Sequence, residues 1–474
     1  MLFNSFVFFV FLGLVLPLFY ALPDKRSKNV FLLVSSYAFY GYWDWRFCLL
    51  LALSTLIDFF IGKQLHKAEG EELRKRLLLL SLTANLGVLA FFKYFNFFIG
   101  SFEALTLSMG MRLDYLHLNI ILPVGISFYT FQTLSYTIDI YRKQLKPTHN
   151  LIDFALFVAF FPQLVAGPIE RAKVLLPQLS TKLRPTKLQI QQGIVLIATG
   201  LFRKVLIGDT SGRFVDQIFG NLELYKSIEV LGALILFSIQ IYADFSGYSR
   251  MARGIAKLLG VELMKNFEQP YLSRNITEFW RRWHISLSSW LRDYLYISLG
   301  GNRKGKSRTY VNLMITMLLG GLWHGASWNF VIWGGLHGIY LAVHKYSLRN
   351  RKITASKMES VTLRNIANVF FTYILVLFTW IFFRSTDWAT TELFFQKIVF
   401  WEHSEYTFIF LSTVLSFMGL TLLLDILEYR YESHDYLLKL KTPEIRLGIL
   451  LALVLVSFVY MYQADPLPFI YFQF

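Results

Sequence analysis

The run Tyr310-Val311-Asn312-Leu313-Met314-Ile315-Thr316-Met317-Leu318-Leu319-Gly320-Gly321-Leu322-Trp323-His324-Gly325-Ala326 decides how this chain is read. It is mostly apolar and closes on a histidine set between Trp323 and Gly325. A histidine at membrane depth is costly unless paired, so it marks a functional site by default. An imidazole there can take and return a proton near neutral pH, which few other side chains can do. A second histidine, His284, ends the stretch Phe279-Trp280-Arg281-Arg282-Trp283-His284 and is likewise wrapped in tryptophan.

Composition around these runs points to an integral membrane protein. Hydrophobic residues make up 55% of the 474 and charged residues 16%, against about 25% charged in a soluble domain. Phe contributes 46 residues, Tyr 26 and Trp 11, the aromatic load of membrane interfaces and helix contacts. The apolar segments run end to end, so residues 1–474 read as one membrane domain, with the motif-bearing core at 151–345. The fold class is all-α and polytopic, with about 12 transmembrane helices plus re-entrant or interfacial ones.

Expected spans are 2–22, 30–44, 47–62, 77–99, 118–140, 190–207, 229–245, 309–323, 328–345, 365–383, 407–427 and 446–463. The stretch 2–22 lacks a basic leader and a small-residue cleavage site, so it reads as a retained helix. The stretches 151–166 and 283–300 read as re-entrant or interfacial; Pro162 and Pro168 cut the first, and broken helices at this depth line cavities or lie within protein. The segments 63–76 and 428–445 read as charged connections.

The net charge of +16 does not indicate nucleic acid. The basic residues sit in short loops between apolar runs, as the positive-inside rule expects, and they also suit anionic lipid headgroups and an anionic cytoplasmic cosubstrate. Basic loops are 24–28, 63–76, 142–146, 171–187, 349–364 and, above all, 250–308, with twelve Lys or Arg against four acids. All fall on one side if the N-terminus starts outside; the 100–117 loop opposite carries only Arg112. So 250–308 is expected to face the cytoplasm or dip in from it. The single cysteine, Cys48, allows no intrachain disulfide and reads as a packing residue.

The richest stretch chemically is 240–301. Asp244 closes an apolar run before Phe245-Ser246-Gly247. It reads either as a ligand group at an unwound helix end or as part of a helix C-terminus capped by Gly247. Further on, helical spacing would put Arg281, His284, Ser288 and Arg292 on one stripe beside an apolar stripe of Trp280, Trp283 and Leu287. Such a helix suits a membrane interface, or its basic stripe meets the phosphates of a donor. A cationic flank would also keep His284 neutral. Gly300-Gly301-Asn302-Arg303-Lys304-Gly305-Lys306 reads as a basic turn and lacks Walker A spacing. His337, in Gly334-Gly335-Leu336-His337-Gly338, could join His284 and His324 around a metal, but no carboxylate or cysteine spacing supports this, and no metal is expected.

Three separated motifs agree in order: Arg281-Arg282-Trp283-His284-Ile285-Ser286-Leu287-Ser288, Leu291-Arg292-Asp293-Tyr294 and Trp323-His324-Gly325. Together they resemble the membrane-bound O-acyltransferase superfamily. Phe161-Pro162-Gln163-Leu164-Val165-Ala166-Gly167-Pro168-Ile169-Glu170 and the closing Phe469-Ile470-Tyr471-Phe472-Gln473-Phe474 make the chain most similar to the bacterial alginate O-acetylase group. The resemblance implies a multispanning helical fold around a central funnel. It implies acyl transfer from a cytoplasmic donor, acetyl-CoA, towards an extracytoplasmic polysaccharide, in a bacterial inner membrane, with a periplasmic or membrane-anchored acetyltransferase as partner. It places the catalytic histidine at His324 and the second at His284. Donor contacts are then expected from Arg281, Arg282, Arg292 and Asp244, with no permanently bound cofactor. D-alanyl transfer to teichoic acid, and a polysaccharide or lipid transporter, are the alternative readings.

Overall fold

The computed structural model describes residues 1–111, 113–165, 167–348 and 362–472. Arg112, Ala166, most of the 349–364 basic loop, Gln473 and Phe474 lie outside the described residues. Among the described residues the regular elements are all helices, with no strand. Seven helices are long and apolar enough to cross a membrane: Arg46–Lys67, Glu71–Ser108, Lys187–Phe219, Ser227–Leu258, Leu363–Arg384, Thr407–Tyr431 and Pro443–Gln463. The other five expected spans are also helical in whole or part, as Phe6–Ala21, Lys25–Asp44, Ile126–Tyr141, Lys306–His324 and Trp328–Ser347. They fall short of the same length and apolarity.

Boundaries shift for local reasons. The 118–140 helix starts only at Ile126, because Pro123 and Gly125, the latter at φ +76°, hold the approach out of helix. The 77–99 helix instead runs on as Glu71–Ser108 through a wide π-type turn at Ala90–Tyr94. The 151–166 stretch is broken as expected, into Leu151–Ala159 and Phe161–Leu164, with Pro162 in the first turn of the second piece. Asn150, Asn275, Ser327, Thr362 and Asp387 cap the helices that follow them with side-chain oxygens.

Contacts gather into two compact units: Met1–Ile194 with Ala252–Met264, and Val195–Met251 with Lys265–Phe474. The first unit holds a buried carboxylate on the Arg46–Lys67 helix. Asp58 accepts hydrogen bonds from Ser81 at 2.6 Å and Asn85 at 2.8 Å, which a buried charge requires. Also in this unit, Glu170 of the Phe161–Glu170 motif accepts from the Met264 backbone N–H at 2.6 Å.

The second unit holds both histidines. Its firmest pairing is the hairpin of Lys306–His324 and Trp328–Ser347. Glycine makes it possible: a Cβ at Gly334 would run into the Met317 carbonyl oxygen, and one at Gly321 into that of Phe330. Only bare backbones approach so closely. Asn329 then ties the hairpin's second helix to the 385–391 corner, donating to Ser385 O, Asp387 O and Thr391 Oγ1 at 3.0–3.1 Å.

Candidate functional site

His324 is the last residue of its helix, and the chain turns extended at Gly325. Its ring is buried among Trp333, Trp323, Phe383 and Tyr471, at centroid distances of 4.9, 5.1, 5.2 and 5.4 Å. His284 lies 6.5 Å away, ring centroid to ring centroid. It is completely buried, packed on Phe245 at 4.6 Å and facing Trp323 at 5.8 Å and Tyr471 at 6.2 Å. The structure thus brings together the two histidines that the sequence separates by 40 positions.

One helix carrying Arg281, His284, Ser288 and Arg292 on a single stripe does not form. Ile276–Arg282 and Ile285–Trp290 are separate short helices, and His284 caps the second from a left-handed backbone at φ +41°. The anticipated stripe is therefore broken: His284 turns inward while Arg281 and Arg292 stay exposed. The strained cap is held by neighbours. Ile285 N–H donates to Asn266 O at 2.8 Å and Ser286 Oγ to Asn266 Oδ1 at 2.5 Å. Leu287 N–H donates to His284 Nδ1 at 3.4 Å, which assigns the remaining proton of the neutral ring to Nε2. His284 lies outside the membrane-spanning helices, and its pKa is pulled down by burial. The arginine flank expected to keep it neutral is not the cause, because desolvation disfavours the imidazolium by itself.

The arginines have separate partners. Arg282 pairs with Glu278 at 2.8 Å, and Arg292 with Asp293 at 2.7 Å. Neither reading of Asp244 as a helix end is met, since Ser227–Leu258 continues well past it. Gly247 is a contact point rather than a cap: a Cβ there would strike Gly200 O and the Lys204 backbone nitrogen. Asp244 is buried in an ion pair with Lys204 at 2.7 Å, and Lys204 also reaches Asp209 at 2.6 Å. Its Oδ2 accepts the Ile470 N–H at 2.7 Å. That bond anchors the tail residues which carry Tyr471 to the histidine pair. His337 is occupied as well: Trp280 donates to Nδ1 at 3.3 Å and Thr379 Oγ1 lies 3.0 Å from Nε2. Among the described residues no group of three His, Cys, Asp or Glu could hold a metal ion.

Residues 32–384 match the family described as MBOAT, membrane-bound O-acyltransferase. The chain belongs to that family. This acyltransferase is 44% identical over 403 residues to the probable alginate O-acetylase AlgI of Pseudomonas aeruginosa, covering 84% of this chain and 75% of that one. It is 36% identical to the peptidoglycan O-acetyltransferase of Helicobacter pylori over 80% of this chain and 74% of the relative. To the teichoic acid D-alanyltransferase of Streptococcus thermophilus it is 28% identical over 58% of this chain and 70% of that one. With its seven candidate spans, this acyltransferase is a multi-pass membrane protein.

Sequence reading missed Tyr471 as a neighbour of both histidines, though it lay within a quoted motif. It also missed a buried charge cluster. Arg203 reaches Asp425 and Glu428, each at 2.9 Å, and Arg250 grips Glu428 with both terminal nitrogens. Tyr242 donates to Asp425 at 3.0 Å, and its ring packs near Trp283 at 6.2 Å, next to His284. The available signal was an ionisable residue at the edge of an apolar run, the criterion that selected His324.

Proposed function

We propose that this acyltransferase is an inner-membrane O-acetyltransferase. It takes acetyl from acetyl-CoA on the cytoplasmic side and passes it across for esterification of hydroxyls on a polysaccharide such as alginate. The observation that carries this reading is the buried histidine pair, 6.5 Å apart within one aromatic enclosure, in a chain 44% identical to a probable alginate O-acetylase. In this reading His324 takes the proton of the attacking hydroxyl as its oxygen adds to the thioester carbonyl. The C–S bond then breaks and the proton goes to the departing thiolate. Alternatively His324 itself carries the acetyl between two half-transfers. His284, neutral and fixed by its Leu287 and Ser286 neighbours, orients the reacting groups. Arg281 and Arg292, both exposed, meet the donor's phosphates as charge-assisted hydrogen-bond donors. Arg282 and Asp244, already in ion pairs, support these groups from behind. A periplasmic or membrane-anchored acetyltransferase completes delivery to the polysaccharide.

The test is mass spectrometry of envelope glycans from cells with and without the protein, alongside His324→Ala. We expect O-acetyl esters to depend on the protein. In His324→Ala they should fall by about 100-fold or more, the scale of a lost acid–base group, at unchanged membrane abundance. Wild-type ester content in that variant would overturn the role of His324. Ester-linked D-alanine in place of acetyl would favour the teichoic acid reading, which the lower identity and coverage of that relative disfavour. Acyl transfer by the purified protein separates both from a transporter.

A further inference from the structure

Three apolar helices meet at one junction of the first unit. Phe6–Ala21 ends there, and Lys25–Asp44 and the helix starting at Lys187 begin there. Two lysines clasp the junction: Lys28 Nζ donates to Leu183 O at 3.0 Å, and Lys182 Nζ donates to Pro23 O. Cations outnumber acids around them. Lys25 is matched by Asp153 at 2.6 Å. Asp24 faces Lys182, but its carboxylate accepts from the Ser27 N–H and Oγ. Lys28, Lys182 and Arg184 therefore share one acid.

Three observations identify what completes the site. The first is charge. Lys28 is 5% exposed, rests on the Phe19 ring at 4.3 Å and has no carboxylate partner among the described residues. It also feels the like charges of Lys182 and Arg184. Any positive-inside loop carries surplus cations; a buried ammonium among like charges is a different matter, and an anion relieves it. The second is access. Lys182 and Arg184 are exposed, and the Arg184 guanidinium makes no hydrogen bond or ion pair among the described residues. The third is depth. Val30, 39% exposed, stands one helical turn from exposed Arg26, and Leu188, 57% exposed, follows exposed Lys187. Apolar side chains open to the surroundings directly beside cations mark the headgroup level of a bilayer. An anion at that level, with hydrocarbon on one side, is a lipid phosphate rather than a free ion.

The geometry points to a lipid site: Lys182 and Arg184, backed by the charge of Lys28, hold the phosphate of an anionic glycerophospholipid in the leaflet on the basic-loop side. The site is independent of the proposed transfer chemistry, so its test reads binding rather than turnover. The full chain, delipidated in an uncharged maltoside detergent, is titrated with phosphatidylglycerol, with phosphatidylcholine or with inorganic phosphate, and its thermal unfolding midpoint is followed. We expect phosphatidylglycerol to raise the midpoint saturably and the other two to leave it unchanged. Lys182→Gln combined with Arg184→Gln should raise the half-saturating phosphatidylglycerol concentration about 30-fold, the worth of two cations at a membrane surface. Arg184→Gln alone removes no bond within the protein and should raise it about fivefold; it serves if the double variant fails to accumulate. Arg303→Gln with Lys304→Gln, in the basic turn elsewhere, should leave it unchanged. An equal loss in that control means diffuse attraction to any basic surface and overturns the proposal. So does wild-type affinity in the junction variants. Protection by inorganic phosphate with none from phosphatidylglycerol overturns the lipid assignment.

Discussion

At the scale of single residues, the two histidines are set apart by their surroundings. His284 is fixed in a strained left-handed cap whose neighbours satisfy its backbone and Nδ1. His324 sits at a helix end among aromatic rings. Arg281 and Arg292 are exposed whereas both histidines are buried, so donor binding and proton transfer should separate in kinetics. Arg281→Ala and Arg292→Ala are each expected to raise the apparent KM for acetyl-CoA about tenfold, the scale of one charge-assisted hydrogen bond. His324→Ala should lower kcat and leave donor binding nearly intact. Donor binding by the purified variants, paired with turnover on an acceptor glycan, checks both. Loss of donor binding in His324→Ala with binding kept in the arginine variants would reverse the roles. Both histidines were legible in sequence because ionisable groups among tryptophans are rare. Tyr471 was not, because a tyrosine in a closing aromatic motif resembles any interfacial tyrosine until the tail is seen pinned by Asp244.

At the scale of elements, the Lys306–His324 and Trp328–Ser347 hairpin is the frame of the site. Its geometry depends on which glycines meet backbone. Gly334 and Gly335 are neighbours in sequence, but a Cβ at Gly334 collides with Met317 O, whereas one at Gly335 meets only Leu318 Cδ2 at 3.5 Å. Gly334→Ala is therefore expected to cost about 1–3 kcal/mol through overpacking and to lower turnover by displacing His324. Gly335→Ala should be neutral or gain up to about 1 kcal/mol from helix propensity. Thermal unfolding of the detergent-purified variants decides; equal losses at both would refute the backbone-contact account. Asn329 offers a second check. Asn329→Ala removes an amide whose two N–H groups are shared among three acceptors and leaves the 385–391 acceptors short, at an expected cost of about 1–3 kcal/mol. A melting temperature equal to wild type would show that those bonds add nothing. In the sequence Gly334 and Gly335 stand side by side as equivalent small residues. Which of them touches backbone depends on helix rotation, and one-dimensional spacing does not specify that.

At the scale of the whole molecule, charge divides into two populations. Exposed cations collect in the 250–308 segment, as at Arg281, Arg292 and Arg303. Among the buried ones, Arg203, Lys204 and Arg250 are matched by Asp425, Glu428, Asp209 and Asp244, and Arg250, Arg253 and Lys257 of the 250–308 segment lie buried on the Ser227–Leu258 helix. Only the first kind sets topology, because buried pairs are neutral as units. Without the three buried ones, nine Lys or Arg against four acids still predict a cytoplasmic 250–308 segment. Single cysteines at Lys265 and Lys304, in a Cys48→Ser background, should resist an impermeant thiol reagent in intact cells and react after permeabilisation. Labelling of both from outside would overturn this orientation.

The amino-acid sequence by itself determined the membrane class, the helical architecture and the two histidines. Apolar run length, and the cost of an ionisable group among apolar neighbours, are properties of the chain that need no partner. The tertiary structure decided the rest. It broke the expected basic helix at His284, because Asn266, over fifteen residues earlier in the chain, supplies the bonds that hold the left-handed cap. It continued the Ser227–Leu258 helix past Gly247, because Gly200 on another helix fills the space beside that glycine. It converted Asp244 from an apparent helix end into the partner of Lys204 and the anchor of Ile470. In each case the deciding atom lies on a different segment of the chain. Local propensity sets which helices form, while burial and hydrogen-bond satisfaction across segments set where they stop and which side chains meet.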